Sequence, residues 1–292
     1  MVSDAIQITV NGLSVGLQYA LLLLGILLIY QGSKVVNFAQ GQIGMVGGLF
    51  SYFCISHYGV ATPVAAIIAV LVAALLAAAL GRTFGATLIR LAPSGGDMIL
   101  TLAMFLVIDG IAQVLVDGRG RRYPKLVDGS VDVFGAYLAG DTLLSLAIVL
   151  ILFAVLVVVV RSTTAGIVLR ATSEDTDMVE LHGWNASRVR VATWALSGAL
   201  AGVASILIAV RVPVQPDYMV APLIAAFIAG IVGGFDRIAA PISVAVIIGL
   251  VQNWGGAIFG AEYRTPLVFA FAIVALLVVP RRWLSGKKEA RA

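Results

Sequence analysis

Leu143-Leu-Ser-Leu-Ala-Ile-Val-Leu-Ile-Leu-Phe-Ala-Val-Leu-Val-Val-Val-Val160 runs on without a charge and without period-two alternation. A helix needs about 20 mostly apolar residues to cross the hydrocarbon core, and a membrane β-strand would alternate over about 10. The stretch therefore reads as a membrane helix. Similar runs fall at 10–30, 61–81, 97–117, 189–210 and 266–280, with shorter or Gly-broken ones at 41–57, 222–235 and 238–256. Backbone groups in lipid must bond within their own segment. The expected fold class is an all-α polytopic membrane protein with about eight to ten transmembrane helices, some Gly-broken or re-entrant.

Composition agrees. The 292 residues are 61 % hydrophobic and 12 % charged, whereas a soluble domain carries about 25 % charged residues. Too little polar surface remains to coat a water-soluble globule. The net charge, 19 minus 15 or +4, reads as Lys and Arg holding loops on the cytoplasmic side rather than as a nucleic-acid surface. With the N-terminus outside and nine crossings, thirteen Lys and Arg fall inside and six outside, so N-out and C-in is expected. The 118–141 loop, with Arg119-Gly-Arg-Arg122, fits this least well. Met1 to Gln7 carries Asp4 and no basic residue, unlike a secretory signal.

The single cysteine, Cys54, excludes an internal disulfide and a cysteine-based zinc site. No GxxxxGK[ST] is present, and no HExxH. Gly12-Leu-Ser-Val-Gly16 matches GxSxG, but a nucleophile elbow needs a strand–turn–helix and a His partner. Ser14 opens a membrane helix, and only His57 and His182 exist.

Five features could carry function. First, Arg170-Ala-Thr-Ser-Glu-Asp-Thr-Asp-Met-Val-Glu-Leu-His-Gly-Trp-Asn185 lies between two spans. Thr172 is read as the N-cap of a short surface helix at about 172–182, with Glu174, Asp175 and Asp177 at its positive end, Gly183 as its stop and Asn185 capping the next span. An ordinary solvated loop with a helical turn is the alternative. Second, Asn37, Gln40 and Gln42 lead into a segment rich in Gly41, Gly44, Gly47 and Gly48. Amides beside a Gly-interrupted helix fit either a water-filled pathway or tight helix packing.

Third, Gly44-Met-Val-Gly-Gly48 recurs as Gly230-Ile-Val-Gly-Gly234, which is either a paired binding region of two halves or chance. Fourth, Gly198 and Gly202 form a GxxxG suited to close helix packing, chiefly within the chain. Fifth, Asp109 sits inside a span with Gln113 one turn on. It is either a proton-relay residue or a neutral structural Asp.

These blocks resemble the LivH-type permease subunit of branched-chain amino acid ABC importers, from about Gly12 to Arg281. Asn37-Phe-Ala-Gln-Gly41 matches that family's first block. Arg170-Ala171, Asp175, Gly183-Trp-Asn185 and Ser197-Gly-Ala-Leu-Ala-Gly202 match its cytoplasmic block and the span after it. Gly230 to Gly234, then Pro241 and Gly249, match the late block.

The resemblance implies an ABC importer permease fold, with residues 1–292 as one transmembrane domain in the bacterial cytoplasmic (inner) membrane. It implies a paralogous LivM-like permease, two ATPase subunits and a periplasmic substrate-binding protein as partners, besides membrane lipid. ATP and Mg would sit on the ATPases, with no cofactor, metal or catalytic residue in this chain. The substrate pathway would involve Asn37, Phe38, Gln40, Gly41, Gln42, Gly44, Gly230, Gly233 and Gly234. The surface helix would be the coupling helix, using Arg170, Thr172, Glu174, Asp175, Asp177, Glu180 and Gly183. The chain departs from the family there: Met178, Val179 and Glu180 replace commoner residues, as do His182 and Trp184. The acidity of this helix predicts a basic groove on its ATPase. The rival reading is an ion-coupled transporter or channel using Asp109.

Overall fold

The computed structural model describes residues 2–83, 96–116, 118–133, 135–174 and 176–278. Eleven α-helices fill most of this range: α1 (Val2–Ser33), α2 (Gln40–Tyr58), α3 (Thr62–Thr83), α4 (Gly96–Leu115), α5 (Gly140–Ser162), α6 (Thr164–Glu174), α7 (Thr176–Leu181), α8 (Ala186–Ala209), α9 (Val220–Gly233), α10 (Ala239–Phe259) and α11 (Arg264–Val278). Six are long and apolar enough to cross a membrane: α1, α3, α4, α5, α8 and α10. With 14 residues, α9 spans about 21 Å at 1.5 Å per residue, short of a full crossing. It is preceded by the irregular segment 210–219, whose Val214, Tyr218 and Met219 are buried. Burial inside protein is what lets irregular backbone stand between membrane helices.

One departure from an all-helical chain is a hairpin. Strand β1 (Ser130–Val133) pairs antiparallel with β2 (Ala136–Ala139), Ser130 opposite Ala139. Gly135 takes φ 79° at the turn, and its N–H donates to Asp132 Oδ1 at 2.7 Å. The loop before the hairpin is pinned to the protein. Arg121 and Val214 exchange backbone hydrogen bonds of 3.1 and 2.8 Å, and the buried Tyr123 hydroxyl lies 2.7 Å from Ser51 Oγ.

Helix α1 is the centre. Of its apolar stretch 89 % is buried, against 11 % for α4, which lies at the periphery. Lipid tails are as apolar as leucine, so hydrophobicity gives little drive for helices to associate and close small-residue packing must supply it. On α3, Ala65, Ala69, Ala73, Ala77 and Gly81 fall every fourth residue and are all buried. Against them stand Gly198, where an added Cβ would overlap the Ala73 carbonyl, and Gly202, where it would come within 2.9 Å of the Val70 Cα. The GxxxG of α8 is thus an internal seam with α3.

Contacts between distant residues sort the helix ends onto two sides. Gln7 reaches the Tyr137 carbonyl. Arg211 donates to Ser14 Oγ at 2.9 Å and Thr142 Oγ1 at 3.0 Å. These join one side, called here the hairpin side. On the other, Lys34 meets Asp236, and α6 and α7 lie on that side too.

The surface element differs from expectation. Its helix begins at Thr164, not at Thr172. Thr163, in extended conformation, accepts from Gly166 N–H at 3.4 Å and so serves as the cap. Thr172 lies in the last turn of that helix and donates to the Val168 carbonyl at 2.7 Å, the local back-bonding open to a helical threonine. The other end matches the reading: Gly183 has φ 85°, Gly183 N–H donates to Glu180 O at 2.9 Å, and Trp184 N–H to Val179 O at 3.2 Å. This pair is a Schellman stop. Asn185 then caps α8, accepting from Arg188 N–H at 3.0 Å.

Candidate functional site

Two adjoining cavities run along α9. The larger, about 850 Å³, is walled by Phe38, Phe105, Leu223, Phe227, Ile228 and Ile273, with Lys34 and Asp97 among its lining residues. The smaller, about 230 Å³, is lined by Asp217, Gln252 and Thr265. Val220, Ile224 and Phe269 belong to both. The two cavities thus share a wall, with polar residues lining the smaller on the hairpin side and Lys34 and Asp97 lining the larger toward the opposite side.

Local sequence places these walls. Helix α1 stops at Ser33 because Lys34 adopts φ 56° while its N–H still closes the last turn on Tyr30 O at 2.8 Å. Asn37 Oδ1 then accepts from Ala39 N–H at 3.0 Å, an Asx turn that launches α2 and leaves Phe38 on the cleft side. There its ring stacks on Phe227 with centroids 4.6 Å apart. In α9, Pro222 sits in the first turn, where its missing N–H costs no helical bond.

The far end of the cleft is closed by a cluster. Lys34 Nζ lies 3.2 Å from Asp236 Oδ1, with both side chains at least half exposed, and 5.1 Å from the Tyr30 ring centroid. The Tyr30 and Phe235 rings meet at 5.5 Å. At the mouth, Tyr19 donates its hydroxyl to Gln252 Oε1 at 2.7 Å. Near that side, burial lowers the pKa of Arg211, partly offset by Asp141.

The amide block behaves otherwise. Asn37, Gln40 and Gln42 are fully buried. Asn37 donates to Gln40 Oε1 at 3.2 Å, and Gln40 donates to the Ser197 carbonyl at 2.9 Å. Ser197 Oγ lies 2.8 Å from Gly25 O and 2.9 Å from Gln40 Oε1. The net result is a polar knot of α1, α2 and α8. Gly41 faces Leu223 and the Met219 carbonyl, and Gly44 faces the Ala201 carbonyl. Of the block, only Phe38 lines the cleft, so this conformation uses the amides for packing. Gln42 donates its amide to Asp109 Oδ1, and its Oε1 has no hydrogen-bond partner among the described residues. Asp109 is thereby tied to α2 as a hydrogen-bonded residue of α4.

Gly230 abuts the Phe235 ring, Gly233 abuts Pro241, and Gly234 ends α9 at φ 82°. None of the three lines a cavity wall reported above. Ser14, in the GxSxG match, is buried and bonded by Arg211, not by a histidine.

On the α6–α7 element, Arg170 donates to the Val160 carbonyl at 2.7 Å, bracing α6 against α5. Met178 (52 %) and Leu181 (80 %) are exposed, as is Glu180. Asp175 lies outside the described residues, as do the side chains of Glu174 and Asp177.

Asp217, Gln252, Thr265 and Asp236 were not marked by sequence reasoning. Only Gln252 leaves a trace there, as one of two adjacent amides, with Asn253, inside a largely apolar span.

The family described as "Branched-chain amino acid transport system / permease component" matches residues 8–279. The chain is 25 % identical over 289 residues to the high-affinity branched-chain amino acid transport system permease protein BraD of Pseudomonas aeruginosa, covering 94 % of each. It is 27 % identical over 294 residues to the permease protein LivH of Escherichia coli K12, covering 92 % of each. The LivH protein of Salmonella typhimurium is 25 % identical over 292 residues, again covering 92 % of each. No solved structure matches the chain.

Proposed function

Given that the chain belongs to the permease component family of branched-chain amino acid transport systems, we propose that it forms the translocation pathway for a branched-chain amino acid or a related small amphipathic solute, and that the cleft along α9 is that pathway. The observation that supports this reading is that the two cavities share Val220, Ile224 and Phe269 in their walls, which sets a polar cavity against an apolar one. A solute with a charged head and a branched aliphatic tail finds polar groups at the mouth and apolar walls behind it. Weak, non-directional contacts along such a wall suit a molecule that must leave as readily as it enters.

Import then needs an energy source outside this chain. In this reading a paralogous permease packs beside it, two ATPase subunits hydrolyse Mg-bound ATP, and a periplasmic binding protein delivers solute. The α6–α7 element is the contact with an ATPase. Exposed Met178 and Leu181 beside Glu180 supply an apolar anchor with an acidic rim, which fits a basic groove on the partner. The hairpin side then faces the periplasm of a bacterial inner membrane, and α6–α7 the cytoplasm.

The test is uptake of radiolabelled leucine by the assembled importer in proteoliposomes, with and without ATP. Uptake that needs ATP and the ATPase subunits is the expected result. Uptake by this chain alone, driven by an ion gradient, would overturn the reading. Glu180→Arg should lower ATPase coupling at least tenfold while the permease still folds. Unchanged coupling would remove Glu180 from the contact.

A further inference from the structure

We propose that Asp217, Gln252 and Thr265 form a zwitterion site at the mouth of the α9 cleft, holding the ammonium and carboxylate of an α-amino acid while its side chain enters the cleft. The inference rests on the amino acid reading above and assigns it residues.

The chemistry follows from orientation. Gln252 Oε1 is occupied, since it accepts from Tyr19 at 2.7 Å, and Tyr19 is itself 6 % exposed. That bond takes up the oxygen, no hydrogen bond among the described residues takes up the Nε2 hydrogens, and Gln252 lines the cavity. A carboxamide held in this way is a fixed donor, suited to a carboxylate. Asp217 is exposed and lies on the same 230 Å³ cavity. None of the ion pairs among the described residues engages it, so its carboxylate is available to an ammonium. Thr265 adds a hydroxyl that donates or accepts. A donor and an anionic acceptor in one small cavity fit a molecule carrying both charges. A simple anion would meet repulsion from Asp217, and a simple amine would leave the Gln252 donors unused.

The geometry of the tail completes the argument. Val220, Ile224 and Phe269 wall both this cavity and the 850 Å³ cleft. A head group at Asp217 and Gln252 therefore directs its side chain onto aliphatic and aromatic surface. Charge-assisted hydrogen bonds at the head give orientation, and apolar contact at the tail gives preference for branched carbon chains.

The experiment places a reporter thiol in the cavity by Ala221→Cys in the assembled importer and follows maleimide labelling. Leucine should slow labelling at least tenfold. Its analogues 4-methylpentanoate, which lacks the ammonium, and isopentylamine, which lacks the carboxylate, should not. Asp217→Asn should abolish protection by leucine and cut ATP-driven leucine uptake at least tenfold. Gln252→Glu keeps an acceptor for Tyr19 and removes the donor pair, and should do the same. Equal protection by all three compounds overturns the zwitterion site, as does wild-type-like uptake in both variants. If the parent importer transports no leucine at all, the amino acid reading itself has failed. If it transports leucine and the variants match it, only this site has failed.

Discussion

Gly44-Met-Val-Gly-Gly48 and Gly230-Ile-Val-Gly-Gly234 are nearly the same string, yet the structure uses them in opposite ways. The first is embedded in mid-helix. Gly44 and Gly47 admit the backbones of α8 and α3, with their would-be Cβ atoms 2.6 Å from Ala201 O and 2.5 Å from Ala69 O. The second ends a helix: Gly230 abuts a ring, Gly233 abuts the start of α10, and Gly234 leaves the helix at φ 82° with open space around it. Glycine's missing side chain serves approach in one place and backbone freedom in the other. A five-letter echo is thus evidence of shared composition, not of shared work.

The contrast can be broken by substitution, and the first position gives the widest gap. Gly44→Ala drives a methyl into a backbone carbonyl that has no rotamer to retreat into. It should cost about 3 kcal/mol, at the upper end of overpacking penalties. Gly230→Ala meets the Phe235 ring, which can turn, and should cost about 1 kcal/mol. Thermal unfolding read by a thiol-reactive dye suits the measurement, because Cys54 is the sole cysteine and is buried. Equal losses at the two sites would erase the distinction.

The last position sharpens it. Gly234→Ala should cost about 1–3 kcal/mol from its backbone alone, since φ 82° with ψ 126° lies outside the left-handed helical region and nothing lies within 4 Å to clash with. Gly48→Ala should be destabilising through the Tyr218 hydroxyl instead. Adding Tyr218→Phe should then recover much of the loss at residue 48 and none at residue 234. A double-mutant cycle on each pair reads this directly.

The smallest effect concerns the loop that follows the second string. Lys34→Asp or Asp236→Lys should each cost at most about 1 kcal/mol, as befits a half-exposed ion pair. The two together should restore the parent stability, and high salt should flatten all three values.

The helices were legible because their signal is a sum over about 20 apolar residues. The stop at Gly183 and the cap at Asn185 were legible because one side chain decides each. Thr172 misled because Thr163, nine residues earlier, supplies the same chemistry in extended backbone, and sequence does not say which threonine leaves the helix. The amide block was read with two outcomes, and burial chose packing for Asn37, Gln40 and Gln42. Its neighbour Phe38 does line the cleft, since alternate residues of a short turn face opposite ways. Asp217, Gln252 and Thr265 come from three separate segments of chain. No spacing rule joins residues 13 and 35 positions apart; only the packing of α9, α10 and α11 does.

The Schellman stop of α7 and the Asn185 cap of α8 leave two residues, Trp184 and Asn185, of which the second is already pinned by its side chain. There is no slack in such an elbow. The axis of α8, about 36 Å long at 1.5 Å per residue, starts directly after this elbow and packs along its seam against α3. In the ATPase-coupling role proposed above, the short helix would be the handle of a crank whose shaft is α8.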